Sequence, residues 1–98
     1  MQLQFGDEEL ERLAYEPTFA AAGWSASLTR SYRRVVNIIA CATDTRDLEA
    51  LDSLRVQSST TNGVPGATLR VGIAHRLRIS FPDHHGSPTA IIEAVEQH

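Results

Sequence analysis

The chain has 98 residues, 42% of them hydrophobic and 21% charged, with a formal net charge of −3. That length supports one core and one domain, 1–98, because neither half alone would bury enough surface to fold; the composition excludes disordered and fibrous classes, and the single cysteine, Cys41, cannot form an internal disulfide. The longest apolar runs, such as VVNIIACA at 35–42, fall far short of the roughly 20 residues a membrane span requires, and MQLQFGDEELER lacks the features of a secretory signal, so a cytoplasmic location without a membrane partner is expected.

Leu3 and Phe5 alternate with Gln2 and Gln4, which predicts a short opening strand. Asp7 reads as the N-cap of a helix whose Leu10, Leu13 and Ala14 share one face and whose first turn holds acids that the helix dipole favours. Pro17 ends it. From Ser25 to Ala42, Leu28, Tyr32, Val35, Val36 and Ile39 recur with helical period, and the opposite face carries Arg30, Arg33, Arg34 and Asn37. Leu48, Leu51 and Leu54 repeat every three residues, a spacing suited to one or two tight helical turns.

The period then switches to two. Leu54 and Val56 predict one strand; Leu69, Val71 and Ile73 predict a second, with turn residues Asn62, Gly63, Pro65 and Gly66 between them. Leu77, Ile79 and Phe81 predict a third strand, and its short separation from the second implies a hairpin. Pro82–Pro88 reads as a turn, and Thr89–Glu96 as a last strand whose apolar residues on both sides suit a central position. The order predicts an α+β domain, an antiparallel sheet with two N-terminal helices packed on one face.

Charge is distributed in blocks. Residues 17–43 hold Arg30, Arg33 and Arg34 without an acid, and residues 53–82 hold Arg55, Arg70, Arg76 and Arg78 without an acid. Strand alternation places Arg70, Arg76 and Arg78 on one sheet face, with Arg55 joining from the neighbouring strand. Like charges that close repel unless carboxylates or a bound polyanion compensate them; Glu93 and Glu96 of the last strand are the available carboxylates. The sequence contains no Gly-rich phosphate loop, no CxxC and no HExxH. His84 and His85 are adjacent in a turn, where their side chains diverge, so a metal site there would require Asp83, His75 or His98 to converge on them.

These residues resemble the HigB-type toxins, or plasmid maintenance killer proteins, of the RelE/ParE toxin superfamily. Phe5, Leu10 and Leu13 are similar to the family's opening "sF.d..Le.L" pattern, and the Ser25-capped helix and Asp47-Leu48 fall where the family has them. TLRVGIAHRL at 68–77 is similar to "SIRVN..WRL", with Arg76 in the place of its arginine and His98 in that of the family's C-terminal histidine. The resemblance implies a RelE/ParE-like fold and a type II toxin without cofactor or metal. Such a toxin is silenced by a helix-turn-helix antitoxin, reaches operator DNA only through that antitoxin, and when freed cuts mRNA on the translating ribosome. It implies catalytic roles for Arg76, Glu96 and His98, and RNA-binding roles for Arg55, Gln57, Arg70 and Arg78 with Arg30, Arg33 and Arg34. Gln57 stands where some members have a catalytic histidine, Gln97 where they have tyrosine, and His75 where they have tryptophan; glutamine cannot titrate. A second expectation is therefore a toxin-fold protein acting only by binding, as a topoisomerase poison or as a decayed toxin that occupies its antitoxin.

Overall fold

Asp7 and Ser25 start the two main helices as their sequence contexts predict. Asp7 Oδ1 accepts from the Glu9 amide at 2.7 Å, opening α1 (Glu8–Tyr15), and Ser25 Oγ accepts from the Leu28 amide at 3.0 Å, opening α2 (Ala26–Cys41). The computed structural model describes residues 1–43, 45–51, 54–61, 63–82 and 89–97. Around the helices lie β1 (Gln2–Phe5), a five-residue helix α3 (Thr45–Glu49), β2 (Gln57–Thr61), β3 (Val64–Val71), β4 (His75–Ser80) and β5 (Thr89–Gln97).

The strands form one sheet in the order β1-β5-β4-β3-β2. The expected all-antiparallel sheet is corrected here: β1 runs parallel to β5, from Gln2 opposite Thr89 to Phe5 opposite Ile92. A parallel pair requires a long crossover, and everything between the two strands supplies it. A third helix, α3, also adds to the two expected. The leucine triplet forms tight turns, with the Leu51 amide bonded to the Leu48 carbonyl and the Leu54 amide to the Leu51 carbonyl, each at 3.1 Å.

Three strand expectations shift. Leu54 and Val56 precede β2 rather than forming it. Pro65 and Gly66 lie inside β3, not in the turn, where Gly66 is required by close approach: a Cβ there would stand 2.6 Å from the Ile79 carbonyl oxygen. Ile73 leaves the alternation for the β3–β4 turn and is 92% exposed. The expected turn at 82–88 lies outside the described residues from 83 onward.

Leu28, Tyr32, Val35, Val36 and Ile39 of α2 pack in one core with Leu10 and Leu13 of α1 and with the inward residues Leu69, Val71, Leu77, Ile79 and Ile92 of the sheet. Within it, the Tyr32 hydroxyl donates to the Leu10 carbonyl at 2.8 Å and its ring meets Trp24 edge-on. No helix is long and apolar enough to cross a membrane among the described residues.

Ile39 is fully buried. Ile39→Asp introduces an unpaired carboxylate costing several kcal/mol, comparable with the ~5–15 kcal/mol stability of a domain, so circular dichroism should show an unfolded chain at 25 °C. Burial, then the nearby Tyr15 and Asp7, push the Tyr32 phenol well above its ordinary value of 10.0. The folded state thus holds the neutral phenol more tightly than the unfolded state does. Its contribution is whole below pH 10 and is lost as pH rises beyond it towards the folded-state value. Urea midpoints should fall above pH 10 by an amount that Tyr32→Phe removes, while that substitution costs about 1 kcal/mol at neutral pH.

Candidate functional site

Strand alternation sends Leu77 and Ile79 inward and therefore sends Arg76, Arg78 and Ser80 of β4 to the opposite face of the sheet. The β3–β4 register sets Arg76 directly opposite Arg70 and Arg78 opposite Thr68; the β4–β5 register sets Arg76 opposite Glu96 and Arg78 opposite Ala94. Gln57, exposed at the start of β2, stands across from Thr68. Arg70, Arg76, Arg78, Gln57 and Glu96 are thus brought to one face.

The guanidinium groups part from one another by using different acceptors. Arg76, half-buried, donates from Nε and Nη2 to the Thr68 hydroxyl at 3.2 and 3.1 Å, from Nη2 to the Thr68 carbonyl at 3.0 Å, and from Nη2 to the Arg55 carbonyl at 2.6 Å. Nη1 has no partner among the described residues. Arg70 donates from Nε to the Gly72 carbonyl at 3.0 Å. Arg78 Nη1 meets Glu96 Oε1 at 3.3 Å, in an ion pair with both side chains about half exposed.

Arg76 and Glu96, expected to act together, are opposite in register, yet the guanidinium turns towards β3 and the carboxylate pairs diagonally with Arg78. His98 lies outside the described residues. Arg55 sits in the loop before β2 rather than on a strand, with left-handed backbone at φ 50°, and it is its carbonyl that the site uses. Arg30 and Arg34 remain exposed on α2. Arg33 turns to α1 instead: its Nε donates to the Leu13 carbonyl at 2.7 Å and its Nη2 to the Glu16 carbonyl at 2.9 Å, satisfying acceptors that a helix end leaves open.

Glu93 belongs to the same face through a register shift at Arg78/Ile79, which makes it an extra residue between the partners Ile92 and Ala94; its Oε1 accepts from Ser80 Oγ at 2.7 Å. Beside it a groove of about 520 Å³ runs past Arg78, Ser80, Ile91 and Val64. Neither Thr68 as the acceptor of Arg76 nor the bulge at Glu93 has a signal in the sequence; the first requires the strand register and the second a break in it. Among the described residues, no group of three His, Cys, Asp or Glu side chains is placed to hold a metal ion.

The face presents clustered guanidinium donors on an open surface with one exposed carboxylate. An exposed ion pair contributes about 0–1 kcal/mol, so a phosphate can displace Glu96 from Arg78 at little cost. Arg76 plays a different part, bracing the Arg55 loop against β3. Arg76→Ala leaves the Arg55 carbonyl without its partner and should lower the melting temperature, with a loss of about 1–3 kcal/mol in urea unfolding, whereas Arg78→Ala should change stability by less than about 1 kcal/mol. Set against protein-family models, curated proteins and solved structures, the chain shows no match.

Proposed function

We propose that this protein is the toxin of a type II toxin–antitoxin pair, HigB-like within a RelE/ParE-like fold, and that it cuts mRNA on the translating ribosome. The reading rests on the residues that resemble that family, and one observation carries it beyond the sequence: Arg70, Arg76 and Arg78 share the sheet face opposite the core, with Glu96 beside them. A polyanion is the ligand that relieves such a cluster.

The chemistry is attack by a ribose 2′-oxygen on the adjacent phosphorus. A new O–P bond forms, the P–O5′ bond breaks, and the products are a 2′,3′-cyclic phosphate and a 5′-hydroxyl. Glu96, once Arg78 turns from it to the phosphate, takes the 2′-hydroxyl proton; His98 gives a proton to the leaving 5′-oxygen. Arg78 and the Nη1 of Arg76, which has no partner among the described residues, stabilise the charge that grows on the non-bridging oxygens. Gln57 stands on this face at the start of β2 and the Arg55 carbonyl braces Arg76, whereas the exposed Arg30 and Arg34 lie on α2, which packs on the core side of the sheet. The partner that silences this face is a helix-turn-helix antitoxin bearing an acidic or apolar segment, and added salt should slow its association.

A binding-only toxin is the second reading. The observation favouring it is that Arg76 spends Nε and Nη2 on Thr68 and the Arg55 carbonyl, while Gln57 offers no proton. Induced expression in a bacterial host, with RNA ends mapped in a reconstituted translation reaction, separates the two. The wild-type chain should arrest growth and produce discrete mRNA ends that require ribosomes. Glu96→Gln and His98→Ala should each slow cutting by about 10²–10⁴-fold, and Arg78→Ala by about 10²–10³-fold. Growth arrest with trapped cleaved DNA and intact mRNA would establish a topoisomerase poison; no arrest at all would establish a decayed toxin.

A further inference from the structure

Two arginines from different elements line one cleft that has no carboxylate in its walls among the described residues. The cleft, about 260 Å³, lies between α2, which contributes Ser31 and Arg34, and the end of β3 with its turn, which contributes Arg70, Gly72 and Ile73. Ser31 and Arg34 are three residues apart on one helical face. Gly72 adopts a left-handed φ of 65°, and a Cβ there would come within 3.8 Å of Ser31 Oγ, so the turn sits close against the helix. The Arg70 Nε bond to the Gly72 carbonyl fixes that side chain over the turn and leaves its terminal nitrogens without a partner among the described residues. Arg34 likewise makes no ion pair among the described residues.

The charge blocks of the chain explain why the described residues bring no carboxylate to the cleft. Residues 17–43 and 53–82 are the two stretches of the chain that hold arginine and no acid. The cleft is formed where the first, as α2, meets the second, as the end of β3. Two arginines lining one cleft repel one another, and an anion bound between them removes that repulsion. Guanidinium forks match phosphate oxygens, and the Ser31 hydroxyl adds a further donor. Ile73, 92% exposed at the rim, offers an apolar surface to whatever carries the anion.

We propose that this cleft is a phosphate-binding site formed by Arg34, Arg70 and Ser31. The phosphoryl group is supplied by single-stranded RNA or by a small phosphate compound. In the first case the cleft extends the RNA path from the arginine face, which Arg70 shares with Arg76, to Arg34 on α2, and this part rests on the RNA reading above; the site itself does not.

The test uses the full chain without ribosomes. Inorganic phosphate is titrated while backbone amides are followed by NMR, and binding of a single-stranded RNA oligonucleotide is measured across a range of salt. Phosphate should shift the Ser31, Gly72 and Ile73 amides, and the Arg34→Ala/Arg70→Ala variant should abolish those shifts. Arg34→Ala alone, which leaves Arg70 in place beside Arg76 and Arg78, should flatten the salt dependence of RNA binding by about 0.7 in log–log slope for each phosphate that Arg34 neutralises. Both arginines are exposed, and an unchanged melting temperature verifies that each variant is folded. Phosphate shifts with an unaltered RNA slope would assign the site to a small phosphate compound; a flattened slope would assign it to the strand. Shifts spread over all exposed arginines, or absent at Ser31 and Gly72 with the slope unchanged, would overturn the site. Active mRNA cutting alongside that result would fail this proposal alone, and intact phosphate binding without cutting would fail only the cleavage reading.

Discussion

β4 has one register that keeps Leu77 and Ile79 in the core and Arg76 and Arg78 out of it. A slip of one residue against either neighbour would exchange the two faces and drive two guanidinium groups into the apolar interior. The packing of Leu77 and Ile79 against the helix layer therefore decides where the arginines stand. Because β4 lies between β3 and β5, the same register also decides which residues flank the arginines: Arg70 and Thr68 on one side, Glu96 and Ala94 on the other. The core and the candidate site are two faces of one constraint.

That register brings Arg70 and Arg76 into direct opposition, an arrangement a sheet ordinarily avoids. The protein disperses the charges through neutral acceptors rather than carboxylates. Arg76 takes the Thr68 hydroxyl and two carbonyls, Arg70 takes the carbonyl of Gly72, and of the three only Arg78 meets an acid among the described residues. Hydrogen bonds to carbonyls orient a guanidinium without cancelling its charge, so the positive potential of the face persists. Arg33 shows the same device in a purely architectural setting, where it closes the end of α1. An arginine on an apparent basic stripe is thus sorted into scaffold or surface by whether an uncapped helix end lies within reach.

Much of this fold was legible in the chain because its determinants are local. Ser25 and Asp7 bond to amides two or three residues away, and the apolar period of 28–39 is repeated on the buried face of α2. The alternation at 77–79 likewise defines the inner face of β4. What was not legible depends on distant partners. The parallel pairing of β1 with β5 joins the two ends of the chain, and no pattern in QLQF distinguishes a parallel from an antiparallel neighbour. Pro65 and Gly66 carry strong turn signals, yet the close passage of β4 against Gly66 claims them for a strand. Ile73 continues the alternation of Leu69 and Val71 in sequence, but the left-handed Gly72 ends the strand before it. For the candidate site, the arginines were legible as a set; their acceptors were not, since those are fixed by cross-strand register and by a bulge.

The net charge of −3 is a poor guide to what such a protein attracts. The acids of 1–16 reside mainly in and before α1, next to edge strand β1, whereas the acid-free stretch 53–82 forms β2, β3 and β4 towards the other edge. Topology thereby sets the acids of 1–16 towards one edge of the sheet and the acid-free strands towards the other, although Glu49 of α3 reaches β2, where Ser58 Oγ donates to it at 3.4 Å. At an ionic strength near 0.15 M, charges more than about 8 Å apart are largely screened, so an approaching polyanion responds to the nearest surface and not to the sum over the molecule. A separated distribution also orients the encounter, turning the arginine-bearing strands towards a negative partner and the α1 region away from it. An acidic protein can in this way present a basic face, provided the fold keeps most of its carboxylates on other elements, and of the five strands only β5 brings acids, Glu93 and Glu96, to that face.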